Sequence, residues 1–172
     1  MITRKIAAPL QSLLEQFPVL FLTGPRQSGK STLVKNLLKD WKYVNLEDAD
    51  HRQLAEREPN LFLVQFGDRA IIDEAQHVPD LFSRIQLIVD EDSERKFLLT
   101  GSQNFLMLER ITQTLAGRTG ILKLLPLSIE ELRTADLLQR LETYIWKGSY
   151  PRLYDMDIDP KAFFNSYLNT YV

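Results

Sequence analysis

Residues 24–32 combine small, polar and basic side chains in a pattern suited to phosphate binding. The stretch GPRQSGKST fits G-x-x-x-x-G-K-[ST], follows an apolar strand candidate and opens a helix. Glycines let a loop approach an anion closely, and backbone N–H groups at the helix start then face the charge. The alternative, an ordinary turn with a surface lysine, leaves this context unexplained. The predicted phosphate-binding residues are Gly24, Pro25, Arg26, Gln27, Ser28, Gly29, Lys30, Ser31 and Thr32.

Two of these side chains have distinct predicted roles. Lys30 is expected to reach the β- and γ-phosphates of a nucleoside triphosphate as a mobile positive charge. The hydroxyl of Ser31 is expected to ligate Mg²⁺. The loop therefore predicts a bound nucleotide together with its metal ion.

Two neighbouring acids, Asp73 and Glu74, follow the apolar run of residues 70–72. A carboxylate at the carboxyl end of a parallel strand lies at the edge where α/β sheets bind ligands. Asp73 is suited to hold Mg²⁺, because this ion prefers oxygen ligands and keeps part of its water shell. Glu74 is then placed to orient and deprotonate an attacking water molecule. The alternative is that both acids are merely solvated at the end of a strand. The phosphate-binding pattern makes this the weaker interpretation.

A third polar group follows the apolar run of residues 97–99. Its hydroxyls and amides could lie between the phosphate loop and the acidic pair. Ser102 is the first choice for contacting the γ-phosphate or positioning water, followed by Thr100 and then by Gln103 and Asn104. A plain turn that begins the next helix remains the alternative for each of them.

Arg118 lies between Gly117 and Gly120, just before the fifth strand candidate. A guanidinium group stabilises the charge that develops on a transferring phosphoryl group, and flanking glycines give an arginine freedom to reach it. Its action in its own subunit or in a neighbour's site stays open at this point. A structural arginine that pairs with acidic residues at the edge of the sheet is the other interpretation.

Apolar runs alternate with amphipathic helical segments along residues 1–126. This alternation is typical of a parallel sheet with helices on both faces. Strands are predicted at 19–23, 43–46, 70–73, 97–100 and 120–125, and helices after the phosphate loop and after Pro79. The expected fold is α/β: a three-layer α/β/α P-loop NTPase with a five-stranded, mainly parallel sheet.

The pattern changes beyond Pro126, where residues 128–147 and 160–172 are predicted to be helical and residues 148–151 to form a turn. We therefore divide the chain into an ATPase core at 1–126 and a helical segment at 127–172. The last helix keeps an apolar stripe up to Tyr171 without a cap, which predicts that a further domain follows. A terminal helix packed on the core is the alternative.

The composition limits the class of protein. With 44% hydrophobic and 26% charged residues, the chain has the balance of a globular domain. A formal net charge of −2 gives no overall attraction to nucleic acid or to a membrane surface. The absence of cysteine excludes thiol catalysis and zinc–thiolate sites. No apolar run approaches the roughly 18 residues that span a bilayer, so a cytoplasmic protein without a membrane partner is expected.

Taken together, the motifs resemble those of bacterial and archaeal AAA-type P-loop ATPases in which the ATPase domain precedes a C-terminal domain of unknown function. The resemblance implies the additional-strand type of P-loop fold, with the Thr100 strand between the strands of the phosphate loop and of Asp73. It also implies that residues 167–172 lead into a second domain. Ser149 and His77 depart from the residues usual in the family, without touching the phosphate chemistry. The matching stretches are 22–32, 72–82, 98–102, 115–118, 125–128 and 148–151.

The leading functional hypothesis is Mg-dependent hydrolysis of ATP coupled to conformational change. ATP and Mg²⁺ are the expected cofactors, and the expected catalytic residues are Glu74, Lys30, Arg118 and Ser102. The alternative is a nucleotide-loaded switch or scaffold with negligible turnover that acts through a C-terminal effector domain. A GTPase is disfavoured because no N-K-x-D segment follows the fourth strand. A homo-oligomer or a protein partner fits the sequence, and nucleic-acid binding rests on analogy alone.

Overall fold

A five-stranded parallel sheet forms the centre of the fold. The computed structural model describes residues 2–102 and 105–171, apart from the side chains of residues 105–108, 112 and 171. The strands lie in the order β2-β3-β4-β1-β5, and each neighbouring pair is parallel. The position of β4 between β1 and β3 confirms the additional-strand arrangement. The strands are β1 (Val19–Gly24), β2 (Lys42–Asn45), β3 (Arg69–Asp73), β4 (Lys96–Ser102) and β5 (Thr119–Lys123).

The helices fall into two groups along the chain. Those that accompany the sheet are α1 (Ala7–Gln16), α2 (Lys30–Leu37), α3 (Ala49–Arg57), α4 (Pro59–Gln65), α5 (Leu81–Glu91) and α6 (Phe105–Thr114). Those that follow it are α7 (Ile129–Thr134), α8 (Leu141–Lys147), α9 (Arg152–Asp155) and α10 (Pro160–Tyr171). Among the described residues, no helix combines the length and apolar content needed to cross a membrane.

Strand β1 shows why the fold has three layers. All of its residues are buried, because helices cover both faces of the sheet. Val19 and Phe21 belong to the apolar cluster formed with α3, α4, α5 and α6. Leu20 and Leu22 alternate with them and belong to the opposite cluster, formed with α1 and α2. This alternation confirms the predicted α/β/α sandwich.

The predicted elements differ from the observed ones mainly where the apolar pattern is weak. Strand β5 ends at Lys123, two residues before the predicted end. Helix α3 buries only Ala55, so it has no apolar stripe to reveal it. Helix α1, by contrast, buries Leu10 and Leu14 four positions apart, and its pattern was detectable.

The segment after Pro126 is helical as predicted, in shorter pieces. Helix α7 begins with a capping box, in which the Ser128 side chain accepts the Glu131 N–H at 3.1 Å. Helix α8 ends at Gly148, which has φ 71° and would bring a Cβ within 2.9 Å of the Phe164 ring. The boundary after residue 126 stays a prediction, since contacts join the two parts.

Arg4 makes three of these contacts from the N-terminal segment. Its Nε lies 3.1 Å from Glu131 Oε1 of α7, and the two side chains are only 8% and 6% exposed. Its terminal nitrogens donate to the carbonyl oxygens of Ser28 at 2.9 Å and Leu125 at 2.6 Å. One buried guanidinium thus connects the phosphate loop, the end of the sheet and the first helix of the C-terminal segment.

The Glu131 carboxylate is held in its charged form. It accepts the backbone N–H groups of Lys5 and Ser128, both at 2.8 Å. Burial acts to raise the pKa of Glu131, but these two hydrogen bonds and the charge of Arg4 outweigh it and hold the pKa below the ordinary value of 4.5. A carboxylate of this kind stabilises the fold above its unfolded pKa, and the contribution is lost as the pH falls through the folded pKa.

Replacing Glu131 by glutamine tests this junction. The substitution leaves Arg4 without its buried counter-charge, and we expect it to lower the free energy of unfolding by about 3 kcal/mol at neutral pH. Urea denaturation measures the change. Because the contribution requires an ionised carboxylate, the difference from wild type should shrink as the pH falls below 4.5.

Glu130→Gln is the matched control. Glu130 pairs with Lys5 at the surface, where the side chains are 63% and 59% exposed, so its loss should cost less than about 1 kcal/mol. Equal losses at the two positions, or a Glu131→Gln effect that does not vary with pH, would contradict a buried charged pair.

Candidate nucleotide-binding site

The loop from Gly24 to Lys30 turns the chain from β1 into α2. A Cβ on Gly24 would lie 2.1 Å from the carbonyl oxygen of Leu124, so only glycine fits beside β5. Gly29 has φ 93° and is the N-cap residue of α2, where no side chain caps the helix. The first N–H groups of α2 therefore face the loop, in the arrangement by which helix N-termini bind anions.

Two further residues of the loop carry buried polar atoms. Ser28 is fully buried, and its Oγ has no hydrogen-bond partner among the described residues. Gln27 adopts a left-handed conformation with φ 60°, and its Oε1 is likewise unpaired within the described part of the chain. Buried polar atoms without hydrogen-bond partners destabilise a fold. These two atoms of the loop therefore suit a polar ligand that would supply the missing hydrogen bonds.

Lys30 is 5% exposed and lies under the loop. Its Nζ donates to the carbonyl oxygens of Gly24 at 3.0 Å and Pro25 at 3.1 Å. Burial lowers the pKa of Lys30, and the nearby carboxylates of Glu74 and Asp73 partly oppose this. The cation is thus close both to the loop and to the acidic pair, as the sequence pattern predicts.

Asp73 ends β3 and is 1% exposed. Its Oδ2 accepts the hydroxyl of Tyr43, on β2, at 2.5 Å. Its Oδ1 accepts the hydroxyl of Thr100, on β4, and the backbone N–H of Glu74 at 3.1 Å. A buried carboxylate is tolerated when hydrogen bonds replace its lost water. Burial, and then the bond to Asp73, raises the pKa of Tyr43, so its hydroxyl keeps its proton.

Glu74 follows Asp73 in a left-handed conformation, with φ 55° and ψ 44°. This conformation costs a residue other than glycine about 1–2 kcal/mol. The backbone N–H of Glu74 holds this conformation through its hydrogen bond to Asp73 Oδ1. The same N–H lies 3.4 Å from the Thr100 hydroxyl oxygen. The Gln76 side-chain amide donates to Glu74 Oε2. Strained backbone of this kind is typical of functional sites, where it aims a side chain.

An open pocket of about 600 Å³ lies over the loop. It is lined by Arg26, Gln27 and residues 29–32 of the loop, by Glu74, and by Arg152 and Asp155 of α9. The predicted catalytic carboxylate and the predicted phosphate-binding residues therefore meet in one cavity. The C-terminal segment supplies its opposite wall.

A second pocket, of about 450 Å³, adjoins the first. The two share Gly29, Thr32, Pro151 and Asp155. Its remaining wall is mainly apolar and comes from the N-terminal segment, from α1 and α2 and from Leu127. Together the pockets form a polar and an apolar compartment on either side of the start of α2.

Ser102 and Thr100 have different positions at the end of β4. Ser102 is half-buried and pairs with Gly24 across the β1–β4 ladder, which brings it beside the loop. Thr100 is fully buried, and its hydroxyl donates to Asp73. The hydroxyl is therefore directed to Asp73, and a contact between Thr100 and a γ-phosphate, the second choice from the sequence, stays a prediction. Gln103 and Asn104 lie outside the described residues.

Arg118 is not brought to this site. It precedes β5, whose first residue pairs with Val19 at the start of β1, so it lies at the amino edge of the sheet. Its Nε and Nη2 donate to the two carboxylate oxygens of Asp90, at 2.6 and 2.9 Å. The structure therefore does not place Arg118 beside the phosphate loop of its own chain, because the loop lies at the opposite edge. These contacts with Asp90 agree with the interpretation of Arg118 as a structural arginine. A role of Arg118 in a neighbour's site stays a prediction.

The family model of an AAA domain matches residues 16–133. The chain belongs to this family of AAA domains. The uncharacterized proteins Rv2008c of Mycobacterium tuberculosis and Mb2031c of Mycobacterium bovis are each 35% identical to it over 132 residues, covering 75% of this chain and 30% of the relative. The chain thus spans less than a third of the length of these curated relatives.

Solved structures share the fold of this AAA domain. The Walker-type ATPase PABY2304 of Pyrococcus abyssi superimposes with a TM-score of 0.62 at 18% identity, covering 88% of this chain and 65% of that one. AMPPCP-bound DnaA from Aquifex aeolicus gives a TM-score of 0.60 at 14% identity, covering 90% and 60%. At these identities the likeness establishes the P-loop fold alone. The predicted membership of the AAA-type P-loop ATPases is confirmed, and a further C-terminal domain stays a prediction.

The donor set of the AAA domain fits a magnesium ion that comes with its nucleotide. Within the described residues, no three histidine, aspartate or glutamate side chains gather as a preformed metal site. Asp73 accepts three hydrogen bonds, which leaves one of its roughly four lone pairs for a metal-bound water. Ser31 supplies a hydroxyl on the pocket wall. Phosphate oxygens and water would complete the octahedron that Mg²⁺ requires.

Sequence reasoning missed several side chains of this site, among them Gln76, Tyr43, Arg152 and Asp155. Gln76 stands two positions after Glu74, and its amide was a detectable signal beside a candidate catalytic acid. Tyr43 could be found only from the pairing of β2 with β3, which the sequence does not show. Arg152 and Asp155 reach the pocket through the folding of the C-terminal segment, and no local pattern marks them.

The close approach at Gly24 gives a direct test of the loop geometry. Gly24→Ala should lower the free energy of unfolding by about 3 kcal/mol or more, because the carbonyl that it meets belongs to the backbone. Gly117→Ala is the control, since Gly117 also has a positive φ, 75°, but nothing within 4 Å of an added Cβ. That change should cost only about 1 kcal/mol for its backbone conformation. Equal losses in thermal denaturation would exclude a specific role for the Leu124 contact.

Proposed function

We propose that this AAA domain binds Mg-ATP and hydrolyses its β–γ phosphoanhydride bond. The observation that carries the proposal is the Glu74 carboxylate, held in a left-handed turn and lining the same pocket as Lys30 and Ser31. A carboxylate that only terminated a strand would need no such conformation. Membership of the AAA family and the P-loop fold support the binding of a nucleotide.

The loop residues bind and orient the triphosphate. The N–H groups at the start of α2 receive the phosphate oxygens, and Lys30 exchanges its two carbonyl acceptors for the β- and γ-phosphates. Ser31 and Asp73 would hold the metal ion. When bound, Mg²⁺ neutralises charge that develops on the leaving oxygen. The DnaA structure, which shares this fold at 14% identity, is bound to AMPPCP, and this supports nucleotide binding by the fold.

Glu74 acts on the water that attacks the γ-phosphate. Its carboxylate orients the water and accepts its proton. Gln76 fixes one oxygen of the carboxylate, Oε2, so that the other is directed to the water. Ser102, beside Gly24, is placed to contact the γ-phosphate. These side chains supply the base and the orientation that hydrolysis needs.

The adjoining apolar pocket would take the base and the sugar. A purine is a flat and largely apolar group, which suits a cavity walled by Ala7, Leu33, Leu37 and Leu127. Its position beside Gly29 and Thr32 lets the triphosphate reach the loop while the base remains in the apolar compartment.

We expect ATP binding to change the conformation of the domain, because α9 forms one wall of the phosphate pocket. Arg152 and Asp155 belong to the C-terminal segment yet line the phosphate pocket, so a bound triphosphate contacts both parts of the chain. A ligand shifts a conformational equilibrium when it contacts one state better than the other. The same observation favours the second candidate, a nucleotide-loaded switch with negligible turnover.

Glu74→Gln separates hydrolysis from switching. We expect ATP to bind with unchanged affinity and turnover to fall by about 10²–10⁴-fold, the usual contribution of a general base. Calorimetry measures binding, and release of inorganic phosphate measures turnover. Glu47→Gln is the matched control, since Glu47 is an exposed carboxylate at the same pocket and should lower turnover less than about threefold. A wild type that binds ATP but hydrolyses it no faster than Glu74→Gln would favour the switch.

Ala7→Trp tests the apolar compartment. The indole should fill the pocket and weaken ATP binding by at least about tenfold, or 1.4 kcal/mol, while inorganic tripolyphosphate binds as to wild type. Ala8→Trp, one position along α1 at an exposed site, should change neither affinity. Equal weakening of both ligands by Ala7→Trp would indicate a distorted loop, and no weakening of either would place the base elsewhere.

A further inference from the structure

Asp155 lies where the polar and the apolar pocket meet. The residues that line both pockets are Gly29, Thr32, Pro151 and Asp155. Of these, Thr32 and Asp155 have polar side chains. Thr32 belongs to the phosphate-binding stretch, whereas Asp155 is the last residue of α9. A carboxylate of the C-terminal segment thus lies at the junction of the two compartments, and the steps of hydrolysis do not use it.

Helix α9 is held beside the start of α2. A Cβ on Gly29 would lie 3.7 Å from Cγ of Pro151, the residue that precedes α9. The Asp155 N–H donates to the carbonyl oxygen of Pro151 at 3.1 Å, which closes one helical turn. Leu153, between these two residues in the sequence, is 1% exposed and belongs to the buried core. The backbone that carries Asp155 is therefore fixed relative to the phosphate loop.

The carboxylate of Asp155 has no partner within the described part of the chain. The residue is exposed, and no hydrogen bond or ion pair among the described residues involves its side chain. An ionised carboxylate accepts hydrogen bonds and donates none. Beside a pocket for a triphosphate it also repels the ligand, because like charges repel. A ligand that compensates for this repulsion must offer hydrogen-bond donors at the junction.

ATP offers such donors at few positions. With its phosphates ionised, they are the two ribose hydroxyls and the exocyclic amino group of adenine. The sugar connects the base to the phosphates, so it must pass the junction when the base fills the apolar compartment and the triphosphate occupies the loop. The two oxygens of a carboxylate can accept both hydroxyls. An acidic residue accepts a ribose hydroxyl in the same way in dinucleotide-binding folds.

We propose that Asp155 binds the ribose hydroxyls of the nucleotide, and that it thereby selects ribonucleotides over deoxynucleotides. The inference rests on the proposed function, since it assumes that ATP occupies both compartments. Hydrogen bonds to a charged group contribute more to binding than those between neutral groups. The contact also connects the nucleotide directly to the C-terminal segment.

The affinities for ATP and for 2′,3′-dideoxyATP, which lacks both hydroxyls, test this contact. Titration calorimetry measures both. Wild type should bind ATP roughly ten- to a hundredfold more tightly, the usual effect of hydrogen bonds to a charged group. In Asp155→Ala the affinity for ATP should fall by the same factor, whereas the affinity for the dideoxy nucleotide should not fall. The two nucleotides should then bind alike, because the hydroxyls and the carboxylate act only through each other.

A third ligand and a conservative variant separate the sugar contact from other effects. Inorganic tripolyphosphate has no sugar, so Asp155→Ala should bind it at least as tightly as wild type does. Asp155→Asn keeps one acceptor oxygen, and it should retain part of the preference for ATP. If Asp155→Ala did not fold, the reduced preference would be read from Asp155→Asn.

Asp157→Ala is the matched control. Asp157 is an exposed acid two positions further along the chain, and it is not among the described residues that line the two pockets. Its replacement should leave the preference for ATP unchanged. Thermal unfolding shows whether each variant is folded before its binding is measured.

Three results would overturn this proposal and leave ATP binding in place. Equal affinities of wild type for ATP and for the dideoxy nucleotide would exclude a ribose contact. A preference that persists in full in Asp155→Ala would assign the contact to another residue. Equal weakening of both nucleotides and of tripolyphosphate in Asp155→Ala would reduce Asp155 to a structural support of the loop. A wild type that binds neither nucleotide would instead contradict the proposed function itself, and the ribose contact with it.

Discussion

The buried carboxylate of Asp73 is the constraint around which this end of the sheet is organised. A charged group at 1% exposure is stable only where donors replace its water. Its donors come from three places: Tyr43 on β2, Thr100 on β4 and the N–H of Glu74. These groups meet only if β3 lies between β2 and β4 and all three strands run in parallel. The strand order and the buried acid are therefore parts of one arrangement.

The same arrangement decides what the neighbouring residues can do. Because the hydroxyl of Thr100 gives its only proton to Asp73 and also lies near the N–H of Glu74, it has no proton left to donate to a phosphate. Ser102, two residues on, reaches the loop at Gly24 instead. The N–H contacts of Glu74 also hold its left-handed turn, so its position depends on the same hydroxyl. One buried threonine thus connects Asp73, the acid proposed to hold the metal ion, to Glu74, the acid proposed to act on the attacking water.

The fold and the loop could be predicted from sequence because their signals are local. Buried strands read as apolar runs, and Gly24 to Thr32 carry their chemistry in consecutive residues. Tyr43 and Arg118 show where this reasoning stops. The role of Tyr43 depends on the register of β2 against β3, and the flanking glycines of Arg118 do not reveal which edge of the sheet it occupies. Contacts between distant segments determine the role of Tyr43 and the position of Arg118. Of such long-range features, only the place of β4 between β1 and β3 was predicted, and it came from the resemblance to known ATPases.

The helical segment is tied to the phosphate loop by contacts that bypass the sheet. Arg4 joins the carbonyl of Ser28 to Glu131 of α7, and the Tyr167 hydroxyl of α10 lies 3.4 Å from the carbonyl oxygen of Arg26. Both contacts involve loop carbonyls, whose positions depend on the backbone that would receive phosphate. A shift of this backbone changes both contacts directly. Coupling between two sites requires such differential contacts rather than proximity alone, and here they lie one residue on either side of Gln27.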